Sequence, residues 1–294
     1  MLTTALSPNI SLHTLTHAWQ TGDADLLTLS IEICAAILYL AGVWRLARKG
    51  RRWSAWRSAS FIAAVASLVV ALQSGLAHYD DTNFSAHVIQ HMILMYLAPI
   101  LLALSAPTTL ALQASKRRTQ EVILKVLHCR AVGFISHPIV AATVAFVSMI
   151  AYYLTPLYVL SLEHPVLHAS SHVFFLLSGC VFWWIIVGKD PQRWRLSFPA
   201  KLGLLAAGIP VTAILGLALS QARTSIAPHF HTAADTRAGG SILWVIGELV
   251  MLVAMGLLLF QWMRVDEREA VRADRRAELA EGASAERPVP ASRD

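Results

Sequence analysis

Seven long apolar runs, separated by short charged connections, constrain the fold of this chain more than any other feature of its sequence. The runs cover residues 26–46, 58–77, 86–113, 136–160, 166–188, 199–219 and 240–263. Each provides the roughly 20 apolar residues that a helix needs to cross a bilayer. Only 14% of all residues are charged, whereas a soluble chain carries about 25%. The sequence therefore predicts an all-α, polytopic membrane helical bundle of seven transmembrane helices, and it excludes a soluble enzyme or a disordered regulator.

The positive charges alternate from one connection to the next. All but two of the 24 Lys and Arg residues lie in or beside every second connection and in the C-terminal tail, and the exceptions are Arg223 and Arg237. Cytoplasmic connections carry the excess of Lys and Arg in membrane proteins. We therefore expect residues 1–25 to form an extracytoplasmic segment, residues 26–263 the membrane domain and residues 264–294 a charged cytoplasmic tail. The net charge of +6 then reflects topology and does not indicate binding to nucleic acid.

Two pairs of histidines begin two of the predicted spans. His87 and His91 open the third span, and His168 and His172 open the fifth. A separation of four residues places both rings of a pair on one face of a helix. Because the third and fifth spans enter the membrane from the same side, we expect the two pairs to lie at similar depth.

The chemistry of these side chains favours a copper site. Met95 continues the stripe of His87 and His91 at the same spacing, and Met92 adjoins it. Imidazole binds copper, zinc, iron or nickel, whereas thioether sulfur selects Cu(I). We therefore predict His87, His91, His168 and His172 as ligands, with Met92 or Met95 as a soft additional ligand. The residues expected at the mouth of this site, or in hydrogen bonds to its ligands, are His78, Asp80, Asp81, Glu32, Glu248 and Asp235.

Other interpretations of the histidines stay open. The imidazoles could lie in the headgroup zone, hydrogen-bonded to neighbours or to water. One ligand from each helix could hold a haem, although the other two histidines would then be unused, so haem is the less natural cofactor. A proton or ion transporter would carry ionisable groups through the whole membrane depth, and the inner halves of the spans show none. No Ser, His and acid arrangement indicates a hydrolase.

Prolines divide several of the spans. Pro99 and Pro107 lie in the third span, Pro156 in the fourth and Pro210 in the sixth. Proline removes a hydrogen bond from a helix and clashes with the preceding turn. We expect a kink or an early end near Pro107, and interruptions at Pro156 and Pro210.

The motifs along the third to seventh spans resemble those of one family. The letters HYDD at 78–81 lie just before the third span, and SAHVIQHMILM at 85–95 begins it. Later stretches carry TPLY at 155–158, HP at 164–165, GCVFWW at 179–184, GKDP at 188–191 and DTRAGG at 235–240. Over residues 70–262 the chain resembles the CtaG family of seven-helix assembly factors for caa(3)-type cytochrome c oxidase. The chain has Val88, Thr236 and Leu243 where Met, Gln and Met are expected for that family.

The resemblance implies a function as well as a fold. A CtaG-like protein would be a multi-pass protein of the bacterial plasma membrane and not an enzyme. It would help a haem-copper oxidase to mature by supplying or handling copper, with cytochrome c oxidase subunits and the lipid bilayer as partners. Transfer of copper to a subunit would be ligand exchange. A b-type haem electron carrier, a copper permease and a metal-free structural chaperone of oxidase subunits remain alternatives.

Overall fold

The computed structural model describes Trp19 and residues 22–285, and all regular secondary structure in this part of the chain is helical. The helices are α1 (Asp23–Arg48), α2 (Ala55–Gln73), α3 (Gly75–Tyr79), α4 (Phe84–Met92), α5 (Ala98–Ser105), α6 (Pro107–Ala114), α7 (Arg117–Leu127), α8 (Arg130–Ile135), α9 (Pro138–Leu154), α10 (Leu157–Glu163), α11 (Pro165–Val187), α12 (Phe198–Ser220) and α13 (Ala233–Ala285). A π-helical segment, Ile93–Leu97, joins α4 to α5.

The described residues contain six helical stretches that are long and apolar enough to cross a membrane. A seventh crossing results when α9 and α10, which meet at an angle of 73°, are taken as one bent span. The predicted all-α membrane bundle is therefore confirmed, with the fourth of the seven predicted spans broken. The chain divides into two compact units, Met1–Met251 and Leu252–Asp294. Most of the predicted N-terminal segment, residues 1–18 and 20–21, lies outside the described residues, and the orientation of the termini stays a prediction.

The prolines act differently in the fourth and sixth spans. Thr155, which precedes Pro156, has an extended backbone (φ −121°, ψ 171°), as a residue before proline prefers. The predicted interruption at Pro156 is thus confirmed as the bend between α9 and α10. The predicted interruption at Pro210 is wrong, because α12 continues through it from Phe198 to Ser220. Transmembrane helices tolerate proline where neighbouring groups satisfy the freed carbonyl.

The third span changes its geometry twice. The π-helical turn at Ile93–Leu97 lies just before Pro99, and the helix ends where Ala106 adopts a left-handed conformation (φ 52°, ψ 55°). The next helix, α6, begins at Pro107, as expected. The Asp190 carboxylate accepts hydrogen bonds from the backbone N–H of Thr108 (3.1 Å) and Thr109 (2.6 Å). Asp190 therefore satisfies two of the free N–H groups at the start of this helix.

A close helix–helix contact brings the third and fifth spans together below the histidines. A Cβ atom at Gly179 of α11 would lie 2.5 Å from the Met95 carbonyl oxygen and 2.9 Å from Cγ of Pro99. One turn further along α11, the Trp183 indole N–H donates to the same Met95 carbonyl at 3.1 Å. Small residues let membrane helices approach closely. The lack of a side chain at Gly179 therefore sets the separation at which the two histidine-bearing spans pack.

This contact predicts the effect of adding one methyl group. Gly179→Ala should lower the stability of the detergent-purified protein by about 1–3 kcal/mol, since the new Cβ has no room beside the Met95 carbonyl. Gly203→Ala is the matched control, because a Cβ there meets nothing within 4 Å. A thermal melt followed by circular dichroism should show a lower midpoint for Gly179→Ala alone. Equal midpoints for the two variants would contradict the close contact.

Candidate metal centre

The structure brings the two histidine pairs together at the start of α4 and α11. The ring centroids of His87 and His91 are 4.1 Å apart, and those of His168 and His172 are 4.5 Å apart. Between the helices, the His87 and His168 rings are separated by 5.4 Å and the His91 and His172 rings by 5.3 Å. The four side chains therefore form one group, which we call the histidine cluster.

Each ring of the histidine cluster has one buried nitrogen without a hydrogen-bond partner in the part of the chain that the structure describes. These atoms are Nδ1 of His87 and Nε2 of His91, His168 and His172. His87 is 0% and His91 1% exposed, so water does not reach these rings from the surface. An unpartnered buried polar group costs about 1–3 kcal/mol. Four such atoms in one place form a set of potential metal ligands, because an imidazole nitrogen is a good ligand for borderline metal ions.

Neighbouring side chains hold the opposite nitrogen of three of these rings. Nδ1 of His168 lies 2.9 Å from Oδ1 of Asp81. Nδ1 of His91 lies 2.8 Å from the Tyr153 hydroxyl, and Nε2 of His87 lies 3.5 Å from the Tyr152 hydroxyl. Metal-binding histidines commonly bond their second ring nitrogen to a carboxylate or another polar group, which fixes the ring. The arrangement thus orients the rings and leaves their other nitrogens free.

Asp80 completes a compact group of potential ligands. Its carboxylate oxygen Oδ2 lies 3.8 Å from Nε2 of His168. One ligand atom from each of Asp80, His168 and His172 lies within 4.8 Å of the other two. Burial raises the pKa of Asp80 to about 7, and the neighbouring His168 acts in the opposite direction. A cation bound there would compensate the cost of burying the ionised carboxylate.

A cavity of about 330 Å³ adjoins this group. Asp80, Asp81, His168 and His172 line it, together with Asp25 near the start of α1. Three carboxylates in one cavity wall favour a cation over an anion. Asp25 was not among the residues predicted from the sequence, because nothing in the pattern of the chain relates the start of the first span to the third and fifth.

Asp235 acts through the helix that carries His87. Its carboxylate accepts hydrogen bonds from the backbone N–H of Phe84 (2.5 Å) and Ser85 (3.1 Å) and from the Ser85 hydroxyl (2.6 Å). These groups lie at the first turn of α4, where backbone N–H groups have no partner within the helix. Asp235 therefore fixes the start of α4 from the seventh span, as a carboxylate at a helix N-terminus does.

The other predicted residues lie beside different partners. With the Gln73 amide nitrogen facing the carboxylate, Gln73 donates to Oε2 of Glu32 at 3.3 Å. Glu248 accepts from the Thr212 hydroxyl at 2.9 Å. The His78 ring packs against the Tyr79 ring, with centroids 5.3 Å apart. The described hydrogen bonds of Glu32 and Glu248 therefore link pairs of helices and do not reach the histidine cluster.

Met92 and Met95 are both buried, with 4% and 2% exposure. The prediction placed Met95 on the stripe of His87 and His91 by assuming a continuous α-helix. The π-helical segment begins at Ile93, so the α-helical register does not extend to Met95. A role for either sulfur as a ligand stays a prediction.

Aromatic side chains that were not predicted from the sequence pack against the side of the histidine cluster that faces away from the cavity. The Phe175 ring centroid lies 4.7 Å from that of His91. Tyr152 bonds the Ser161 hydroxyl at 2.7 Å and so is held beside His87. The one available signal was the adjacent pair Tyr152–Tyr153, two polar rings at the end of an otherwise apolar span. His231, by contrast, has both nitrogens partnered, by Tyr158 (3.1 Å) and Ser225 (3.0 Å).

Three curated mycobacterial proteins are similar to this chain. They are "Uncharacterized protein Mb0105" of Mycobacterium bovis, "Uncharacterized protein MT0111" of Mycobacterium tuberculosis and "Uncharacterized protein ML1998" of Mycobacterium leprae. Each is 33% identical over 271 residues, which cover 86% of this chain and 41% of the relative. The chain thus spans about two fifths of the length of these relatives. No solved structure matches the chain.

The family comparison covers most of the chain. The model of the family described as cytochrome c oxidase caa3 assembly factor, Caa3_CtaG, matches residues 37–265. The matched region contains all four residues of the histidine cluster and Asp235. Together with the apolar helices, the match makes this chain a multi-pass protein of the plasma membrane. The chain belongs to the Caa3_CtaG family of cytochrome c oxidase caa3 assembly factors.

Proposed function

We propose that the protein assists the assembly of a caa3-type cytochrome c oxidase by holding copper in the histidine cluster and releasing it to an oxidase subunit. Copper is here a cargo that arrives and leaves, and no chemical step is assigned to the protein. One observation carries the proposal. Four imidazoles lie beside one another, and each has one buried nitrogen without a hydrogen-bond partner among the described residues.

The donor set supports copper over most other cations. Imidazole nitrogens suit copper, zinc, iron and nickel, whereas magnesium, calcium and manganese prefer oxygen ligands. Cys34, Cys129 and Cys180 are free and lie far apart in the sequence, so the chain has no closely spaced thiolate motif such as CxxC. Of the metals that imidazole suits, a haem-copper oxidase requires iron within its haems and copper as a separate ion, so copper is the cargo that fits the family to which the chain belongs.

The surroundings of the histidine cluster support loading and release. Asp25, Asp80 and Asp81 line the cavity beside it, and carboxylates raise the local concentration of cations. The distribution of Lys and Arg predicts that this end of the bundle lies on the extracytoplasmic side. Exchange of copper between the histidines and the ligands of an oxidase subunit would then occur at that face of the membrane.

The copper proposal is tested by removing all four imidazoles at once. The variant that combines His87→Gln, His91→Gln, His168→Gln and His172→Gln should lose the copper that co-purifies with the full chain, because it lacks the ligand nitrogens. A double variant, His128→Gln with His164→Gln, is the control, since both residues are exposed. Metal analysis and a visible spectrum of the detergent-purified proteins make the comparison.

Two results would count against the copper proposal. Equal copper in the four-residue variant and in the control would show that the histidine cluster does not hold the metal. A haem absorption band that disappears in the same variant would instead favour a b-type electron carrier. If oxidase subunits co-purify equally with both proteins while neither contains metal, the protein acts as a structural chaperone.

The contact between Asp81 and His168 gives a second prediction. Asp81→Ala should lower copper affinity by about 10–100-fold, because His168 loses the carboxylate that fixes its ring. Glu163→Ala removes an exposed carboxylate nearby in the sequence and should leave the affinity unchanged. Competition for Cu(I) with a chromophoric chelator measures both. An equal loss in the two variants would indicate a general effect of surface charge and not a positioning role for Asp81.

A further inference from the structure

We propose that the histidine cluster contains two adjacent cation positions and passes a cation from one to the other. The outer position consists of Asp80, His168 and His172, and the inner position of His87 and His91. This inference rests on the proposed function, because it divides the same cluster into a site that receives the cation and a site that retains it.

The outer position has the geometry of a nearly formed metal site. Its three ligand atoms lie within 4.8 Å of one another, and its two imidazoles each carry an unpartnered Nε2. All three residues line the cavity of about 330 Å³. Asp81, on the opposite nitrogen of His168, holds that ring in place. A cation that enters the cavity therefore meets these ligands first.

A single ion cannot bind all four imidazoles in this arrangement. Zn²⁺, a first-row ion of similar size, binds imidazole nitrogens at about 2.0–2.1 Å, so ligand atoms on one ion lie no more than about 4.2 Å apart. Among the described residues, no group of three or more His, Cys, Asp or Glu ligand atoms within 4.8 Å includes His87 or His91. These two residues nevertheless keep an unpartnered nitrogen each. They form a second position and do not complete the first.

The inner position is enclosed by aromatic rings. Tyr153 bonds His91, Tyr152 lies beside His87, and Phe175 packs against His91. Neither His87 nor His91 lines the cavity, whereas the outer residues His168 and His172 do. The outer rings lie 5.4 Å and 5.3 Å from the inner rings. A cation therefore reaches the inner pair from the cavity by way of the outer pair.

The two positions differ in charge. The outer position includes a carboxylate, whereas the inner position offers two neutral imidazoles. Burying a charge without a counter-charge is costly, so the inner pair favours singly charged Cu(I) over a divalent ion. In the transfer, Cu(I) releases the Asp80 oxygen and the nitrogens of His168 and His172 and binds the nitrogens of His87 and His91, so its coordination falls from three ligands to two and its oxidation state does not change.

The test counts the Cu(I) ions bound to the full chain in detergent under anaerobic conditions. Two paired variants are compared with the wild type: His168→Gln with His172→Gln, which removes the outer imidazoles, and His87→Gln with His91→Gln, which removes the inner ones. We expect two ions in the wild type and one in each double variant. Asp80→Asn should weaken only the more weakly bound ion, by at least about tenfold. Size-exclusion profiles show whether each variant is folded. The His164→Gln variant controls for the loss of a histidine outside the histidine cluster and should bind as many ions as the wild type.

Each other result overturns the inference. One ion in the wild type that is lost in both double variants would show a single shared site, and the copper proposal itself would survive. Two ions in the wild type and none in either double variant would show one interdependent cluster instead of two positions. No Cu(I) in the wild type would overturn the copper proposal together with the inference.

Discussion

Four imidazole rings lie against one another inside a membrane bundle, each with a buried ring nitrogen that no group in the described part of the chain satisfies. Buried polar atoms without partners are costly in any protein, and in a bilayer no solvent offers compensation. Much of the described structure around the rings serves to hold them there. Gly179 lets the two spans approach, Asp235 fixes the first turn of α4, and Tyr153 and Asp81 each hold one ring nitrogen. Together these contacts hold the four rings beside one another, which is the arrangement that the proposed copper site needs.

The helices and the histidine pairs could be predicted from the sequence because both follow from local periodicity. Apolar runs fix the spans, and a separation of four residues fixes the face on which His87 and His91 lie. The contributions of Asp25, Tyr152 and Phe175 could not be predicted, because they depend on which helices pack together. Pro156 and Pro210 show the same limit: one bends the fourth span by 73° and the other lies inside a continuous helix. What surrounds a proline, and not the proline alone, decides whether the helix breaks.

The family match and the geometry of the histidine cluster are two separate arguments for the proposed function. Membership of the Caa3_CtaG family connects the chain to the assembly of a haem-copper oxidase, whereas the site itself shows only a donor set suited to borderline metal ions. The two sides of the histidine cluster differ in the groups that surround them. Carboxylates face the cavity and tyrosines close the other side, so that, in the proposed function, a cation would be attracted at one end and held among neutral ligands at the other.

X-ray absorption spectroscopy on the copper-loaded full chain tests the central claim most directly, because it reports the atoms bound to the metal. The account predicts a shell of nitrogen or oxygen atoms at about 2.0 Å, with the outer-shell scattering that is characteristic of imidazole rings. This scattering should be absent when all four histidines of the cluster are replaced. A shell composed only of sulfur, or imidazole scattering that persists without these four residues, would contradict the account and place the copper elsewhere in the protein.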